Sequence, residues 1–224
     1  VTLDADGAGT LSEGADARQP ATAVSSAGPD DLAAILYTSG TTGRSKGAML
    51  THNNLWSNTR ALIEAWGFTG DDVLIHALPL FHTHGLFVAL DICLAAGAKI
   101  ILLPKFDADE VVDLMREATV LMGVPTFYTR LLANPRLTRE AAAHMRLFIS
   151  GSAPLLAETH TAFFAKTGHR ILERYGMTEA GMITSNPLVG ERRPGSVGGP
   201  LPGVEVRVVG AEGEPVGANE IGGI

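Results

Sequence analysis

Five short apolar runs, AAILY (33–37), DVLIHAL (72–78), AKIILL (98–103), TVLMG (119–123) and RLFIS (146–150), recur along the chain with longer patterned segments between them. Each run has the length of a strand, and a nearly continuous apolar strand needs cover on both of its faces. Strands that alternate with helical segments fold as an α/β layered domain, a mainly parallel sheet flanked by helices. That fold class is the expectation here, with Phe148 and Ile149 of RLFIS and Ile100 to Leu103 of AKIILL in central strands. Between the first two runs, Leu55, Thr59, Leu62, Ile63 and Trp66 fall at helical spacing behind Thr51, a residue suited to cap a helix.

The runs also divide the chain. Residues 1–30, rich in Ala, Gly, Asp and Ser without a sustained apolar period, read as a lead-in loop region. Residues 31–193 read as the α/β core, and 194–224, glycine and proline turns around the alternating VEVRVV, as the start of a small β subdomain. With 224 residues, 46% of them hydrophobic, the chain can bury a core. A formal net charge of −7 with scattered Lys and Arg argues against a nucleic-acid partner. The most apolar stretch, 85–98, is too short to span a bilayer and contains Asp91, so no membrane partner is expected. Cys93 is the one cysteine and no basic-then-apolar leader opens the chain; a reducing cytoplasm is expected, with Cys93 as a buried small hydrophobe.

Between AAILY and the helical segment lies YTSGTTGRSKG (37–47), dense in glycine and hydroxyl side chains, with two cations and no carboxylate. Backbone N–H groups of a Gly-rich turn converge on an anion, and hydroxyls and Lys46 add donors and charge, so polyphosphate is the natural guest. Gly40 and Lys46 have the spacing of G-x-x-x-x-G-K-[ST], but Ser45 and Gly47 break it, which makes this a phosphate loop of another kind.

Three further stretches follow in order: LPLFHTHGL (78–86), SGSAPL (150–155) and ERYGMTEAG (173–181), with PGSVGGPLPGVEV (194–206) behind them. Together with the glycine-rich loop they resemble the adenylate-forming superfamily of acyl-CoA synthetases, adenylation domains and luciferases, from about Ala33 to the C-terminus. That resemblance implies that a carboxylate attacks the α-phosphate of ATP, pyrophosphate leaves, and the acyl-adenylate passes to a thiol, with Mg²⁺ assisting and coenzyme A as second substrate. It implies that Thr38, Ser39, Gly40, Thr41, Thr42, Gly43 and Lys46 surround the β- and γ-phosphates. Thr178 and Glu179 resemble the family's hydroxyl and carboxylate pair, with Glu179 as the ligand of Mg²⁺. Gly151, Ser152 and Ala153 resemble the floor under the adenine, Tyr175 would stack on the base and Gly176 allow close approach. Glu173, Arg174 and Met177 complete that ATP-binding run. The surroundings of Ser152 lack G-x-S-x-G, so a hydrolase serine is not expected.

Taken without the resemblance, a histidine beside an apolar segment is a structural residue, and His52, His76, His144, His160 and His169 are read that way. By resemblance His82 is catalytic, at the gate between nucleotide and acid; as metal ligands, His82 and His84 lack a third partner. Amino-acid-activating relatives place an aspartate where FHTHG stands, so an amino acid is disfavoured. Arg130 in VPTFYTRLL lies on the helix that borders the acid pocket in this family, and a guanidinium there implies a second carboxylate. The run from MGVPTFYTRLL to SGSAPL, with ERYGMTE and TSNP, resembles malonyl-CoA synthetases, which implies malonate, with methylmalonate tolerated. Thr83 and Met182 would then touch the α-carbon, Ser150 would line the pocket, and Arg146 competes with Arg130 for the second carboxylate.

Members of this superfamily carry more chain on both sides of the stretch seen here, including a mobile C-terminal domain with a catalytic lysine. The expectation is a central portion of a longer enzyme that turns over little alone. A ligase for another short or aryl acid stays open, as does a non-catalytic nucleotide-binding module of the same fold. The presence of Lys46, His82, Thr178 and Glu179 together favours the enzyme.

Overall fold

The computed structural model describes residues 2, 4, 6–20, 22–38 and 45–224. The apolar runs become strands because every side chain finds cover on whichever face it points to. β3 (Val73–His76), β5 (Val120–Gly123) and β6 (Leu147–Ser150) are buried almost throughout. Successive strand residues point to opposite faces. Leu74, Val120, Met122, Leu147 and Ile149 accordingly enter one hydrophobic cluster, and Ile75, Leu121 and Phe148 the other. The first cluster is closed by α2 (His52–Trp66), a π-helix (His84–Leu90) and its continuation α3 (Asp91–Ala96), through Leu62, Trp66, Val88 and Ile92. The second is closed by α4 (Ala108–Leu114), α5 (Pro125–Ala133) and α6 (Ala157–Thr167), through Val111, Tyr128, Leu131 and Phe163. α2 begins as the sequence predicts: the Thr51 hydroxyl accepts from Asn54 N–H while the Asn54 side chain accepts from Thr51 N–H. Cys93 is buried, as expected, and burial pushes its thiol up to about 12.

β4 (Lys99–Leu102), β3, β5, β6 and β7 (Leu172–Met177) lie side by side and parallel, and β8 (Gly181–Ser185) and β9 (Gly199–Pro200) extend the sheet antiparallel. The winding reverses at β3, which has β4 on one side and β5 on the other. In open parallel sheets the crevice outside the C-terminal strand ends at such a reversal is where ligands bind. Among the described residues no helix is long and apolar enough to cross a membrane.

Five expectations need correction, four of them about the elements of the fold. AKIILL is an edge strand: β4 pairs with β3 alone, and Leu102 is 58% exposed while Leu103, which points to the opposite face, is buried in the core. AAILY is not in the main sheet. It forms β1 (Leu32–Thr38), paired antiparallel with β2 (Lys46–Thr51) in a separate two-stranded sheet, since a short connection allows a hairpin but not a parallel crossover. The glycine-rich segment is therefore the hairpin connection, with β2 between it and α2. VEVRVV alternates in burial yet is no strand, because 204–208 find no ladder partner and only Val209 bridges Pro215 and Gly223. Within the lead-in, α1 (Thr10–Asp16) forms with none of its residues buried, so no apolar period announced it.

Arg146 is the remaining correction. Its Nε and Nη2 donate to Asp72 Oδ1 and Oδ2 at 2.6 and 2.7 Å, and its Nη1 reaches the carbonyl of Trp66 at the end of α2. Asp72, 3% exposed, also accepts from the Thr119 hydroxyl at 2.8 Å, and its carboxyl is held below the usual range by those donors against the opposing effect of burial. These residues start β3, β5 and β6, at the end of the sheet opposite the crevice, so Arg146 is spent on a structural ion pair and is not an acid-binding residue.

Exposure sets the expected stability losses. Phe148→Ala should cost about 3–5 kcal/mol, as for a fully buried aromatic, whereas Leu102→Ala should stay within about 0.5 kcal/mol, as for an exposed side chain. Denaturant unfolding of the two variants checks this; similar losses at both positions would refute the assignment of β4 to the edge.

Candidate active site

The loops that leave the C-terminal ends of β3, β6 and β7 converge. After β3 the chain turns through Pro79 to His82 and enters the π-helix. Leu78 N–H donates to His76 Nδ1 at 3.2 Å, which leaves the His76 proton on Nε2 to donate to the Gly85 carbonyl at 2.9 Å. Residue 85 must be glycine because a Cβ there would overlap the Pro79 carbonyl. Held in this turn, His84 N–H donates to His82 Nδ1 at 3.0 Å, so a neutral His82 carries its proton on Nε2.

After β6, Ser152 adopts φ 67, a left-handed conformation rare outside glycine, and its hydroxyl lies 3.2 Å from His84 Nδ1. From β7, Arg174 turns its guanidinium inward against Gly151, where any Cβ would overlap it. Arg174 is 3% exposed, and among the described residues its Nε and Nη2 have no partner. Burial lowers its pKa to about 10, which still leaves it charged at neutral pH.

Three clefts run side by side here. The middle one, about 110 Å³, is lined by His82, Thr83, His84, Ser152, Arg174, Gly176, Met177, Thr178 and Met182. On one side it shares Ser152, Arg174 and Gly176 with a cleft of about 440 Å³ that also holds Ser150, Ala153, Glu173 and Tyr175. On the other it shares Thr83, Thr178 and Met182 with a cleft of about 230 Å³ walled by Asn58, Val88, Glu179 and Val204. Burial lowers the pKa of both His82 and His84, and the Arg174 charge adds to it, so both rings are neutral at pH 7. The Glu173 carboxyl is raised by burial, an effect partly offset by the Gly195 N–H that donates to it.

Most of the residues singled out in the sequence thus come together around these clefts. Thr38 donates to Glu179 at 3.3 Å across the gap between hairpin and sheet, and Lys46 sits opposite Thr38 at the base of the hairpin connection. Ser39, Gly40, Thr41, Thr42 and Gly43 lie outside the described residues. Arg130 is not brought to the group around Arg174: it is exposed on α5 with its guanidinium 4.7 Å from the centre of the Phe106 ring. His76, His160 and His169 each place Nε2 on a backbone carbonyl, as structural histidines do. His84, which the sequence offers only as a rejected metal ligand, lines the middle cleft, and so does Arg174 of the expected ATP-binding run. The signal for His84 was present: an imidazole at the head of an apolar helix has to be neutral and needs partners.

A family model described as AMP-binding enzyme matches residues 1–224. Over 212 residues the chain is 44% identical to a malonate–CoA ligase of Arabidopsis thaliana, covering 86% of this chain and 35% of that protein. It superposes on ATP-bound MatB from Rhodopseudomonas palustris with a TM-score of 0.94 and 62% identity, over 98% of this chain and 44% of that one. It also matches a malonyl-CoA ligase ternary product complex with methylmalonyl-CoA and AMP bound, TM-score 0.80 and 44% identity, over 85% of this chain and 42% of that one. The chain therefore spans well under half the length of these relatives.

Five histidines, His76, His82, His84, His160 and His169, have pKa values lowered from 6.5 by burial. The unfolded chain binds protons at these positions more readily than the folded one, so their contribution is fully present above pH 6.5 and is lost as pH falls below it. The thermal midpoint should drop by several degrees between pH 7.5 and pH 5.5, well before most carboxylates titrate. An unchanged midpoint over that interval would show that these rings take up protons without unfolding.

Proposed function

Because the chain belongs to the AMP-binding enzyme family, we propose that the protein containing it is an ATP-dependent acid–CoA ligase that converts malonate to malonyl-CoA. The route is a malonyl-adenylate, with release of pyrophosphate and then AMP, and methylmalonate is tolerated. The observation that carries this reading is the Arg174 guanidinium, buried without a counter-charge among the described residues and beside His82, Thr83 and Met182. Burying an unpaired cation is unfavourable. A diacid relieves it, because one carboxylate reacts while the second pairs with Arg174 through charge-assisted hydrogen bonds. Thr83 and Met182 then flank the α-carbon and limit its substituent to something near a methyl group. Arg130 would join from the rim by leaving the Phe106 ring.

The other roles follow from the neighbouring clefts. ATP would lie with its adenine between Ala153 and Tyr175, beside Gly151, Ser152 and Glu173, and its phosphates toward Thr178, Lys46 and the hairpin connection. His82, with its Nε2–H free for the middle cleft, donates to the reacting carboxylate or the α-phosphate, offsetting charge as the new bond forms. The Glu179 carboxylate is the hard oxygen donor that fits Mg²⁺, and Thr38 steadies it through the hydroxyl hydrogen bond. When bound there, Mg²⁺ neutralises charge on the leaving pyrophosphate. Coenzyme A accepts the acyl group. The lone buried thiol fits a reducing compartment, in our reading the cytoplasm.

Acid-dependent ATP–pyrophosphate exchange on the full-length protein tests this. Malonate should drive exchange well above acetate, benzoate or amino acids, and Arg174→Ala should raise the malonate KM by about 10- to 100-fold, the loss of a hydrogen bond to a charged group. Exchange driven chiefly by a monoacid would discard the diacid reading, and none with any acid would leave a nucleotide-binding module.

A further inference from the structure

One imidazole in the middle cleft has no part in the scheme above. The other buried histidines give Nε2 to a backbone carbonyl, of Gly85, Ile171 or Ala142. His84 does not. It is 2% exposed, its Nε2 has no partner among the described residues, and it lines the same cleft as Arg174, whose Nε and Nη2 are likewise unpartnered. Its other ring nitrogen faces the Ser152 hydroxyl at 3.2 Å. A residue needed only to fill this space would be apolar, since an unmade hydrogen bond on a buried polar atom is unfavourable. His84 and Arg174 thus line one small cavity with three unpartnered nitrogens among the described residues, one on a neutral ring and two on a charged guanidinium, a set of donors that lack their acceptor.

We propose that His84 is a specificity residue: its Nε2–H, together with the Arg174 guanidinium, holds the second carboxylate of a dicarboxylic acid. Ser152 takes part by donating its hydroxyl to Nδ1, which places the ring proton on Nε2, the only neutral form that can donate into the cleft. The hydroxyl stands 3.2 Å from that nitrogen on a backbone held in the left-handed region, at φ 67. The inference rests on the diacid reading given above. It assigns the discrimination between a diacid and the monoacid of the same length to two donors rather than one: a monoacid would leave both unpaired, and sites built to hydrogen-bond a substrate group reject the analogue that lacks it.

The test uses the full-length protein, with malonate and propionate compared by ATP–pyrophosphate exchange. His84→Phe fills the space without a donor, and His84→Gln restores an N–H at about the reach of Nε2. The ratio of kcat/KM for malonate to that for propionate should fall by about tenfold or more in the Phe variant, through the malonate KM rather than kcat, and recover to within about threefold in the Gln variant. Nitrogen-15 spectra of the unmodified protein with malonate bound should show His84 unprotonated at Nδ1 and protonated at Nε2. Equal losses for both acids in the Phe variant, no recovery in the Gln variant, or the opposite ring assignment would each overturn the role of His84 while leaving malonate activation standing. Absence of malonate-driven exchange in the unmodified protein would overturn both.

Discussion

At the end of the sheet away from the clefts, the carboxylate of Asp72 collects donors from three other parts of the chain: Arg146, the Thr119 hydroxyl and Thr69 N–H. Its carbonyl takes Lys99 N–H, so β4 is tied to the same residue, and Arg146 in turn holds the last carbonyls of α2. The starts of β3, β4, β5 and β6 are thereby laced together, and each of these strands is only four residues long. A slip of one residue in any of them would exchange the two hydrophobic clusters. Register fixed at one end of such short strands is register fixed at the other, and it is from the other end that every loop of the site departs.

The two ends of the sheet differ in how their polar groups are satisfied. Around Asp72 each donor meets an acceptor. Of the seven buried polar atoms without a partner among the described residues, five belong to Thr83, His84, Ser150 and Arg174, all at the C-terminal strand ends. Folded proteins pair nearly all such atoms, so a cluster of exceptions on one side of one sheet is not accidental looseness in packing. The well-paired end holds the strands in place, while the unpaired end keeps its donors buried, away from bulk water and without a partner among the described residues. In the proposed reading the desolvation of Arg174 and His84 is accepted on folding and repaid when an anion arrives, which favours binding over rearrangement.

How much of this could be read from residues alone depended on how local the deciding interaction was. The α2 cap and the burial of β5 and β6 follow from side chains close in sequence, and the structure agrees with them. The position of β4 depended on which neighbours a strand receives, and KIIL looks the same in a centre as at an edge. Arg146 and Arg130 could not be told apart from Arg174 by composition. What separates them is that Arg146 meets Asp72, 74 residues earlier, that Arg130 stacks on Phe106, and that Arg174 Nε and Nη2 have no partner among the described residues. VEVRVV carries the alternation of a strand, but alternation describes one chain and a ladder needs two. Nothing in the sequence around His84 points to Ser152 or Arg174, the neighbours on which its proposed role rests, because they are reached only through the fold.

The turn between β3 and the π-helix shows how the fold settles proton positions before a ligand is present. Leu78 N–H takes the lone pair of one nitrogen of His76, so the other must donate, and the carbonyl it reaches belongs to Gly85. That anchors the turn in which His84 N–H takes the Nδ1 lone pair of His82, and the His82 proton is forced onto the nitrogen left for the cleft. Two backbone N–H groups thus choose the tautomers of two imidazoles, and neither choice requires a charged neighbour. Had carboxylates done the orienting, each would have drawn its histidine toward the charged form and offered Arg174 a counter-charge. Backbone amides orient the rings and leave them neutral, so the positive charge of the site stays concentrated on Arg174.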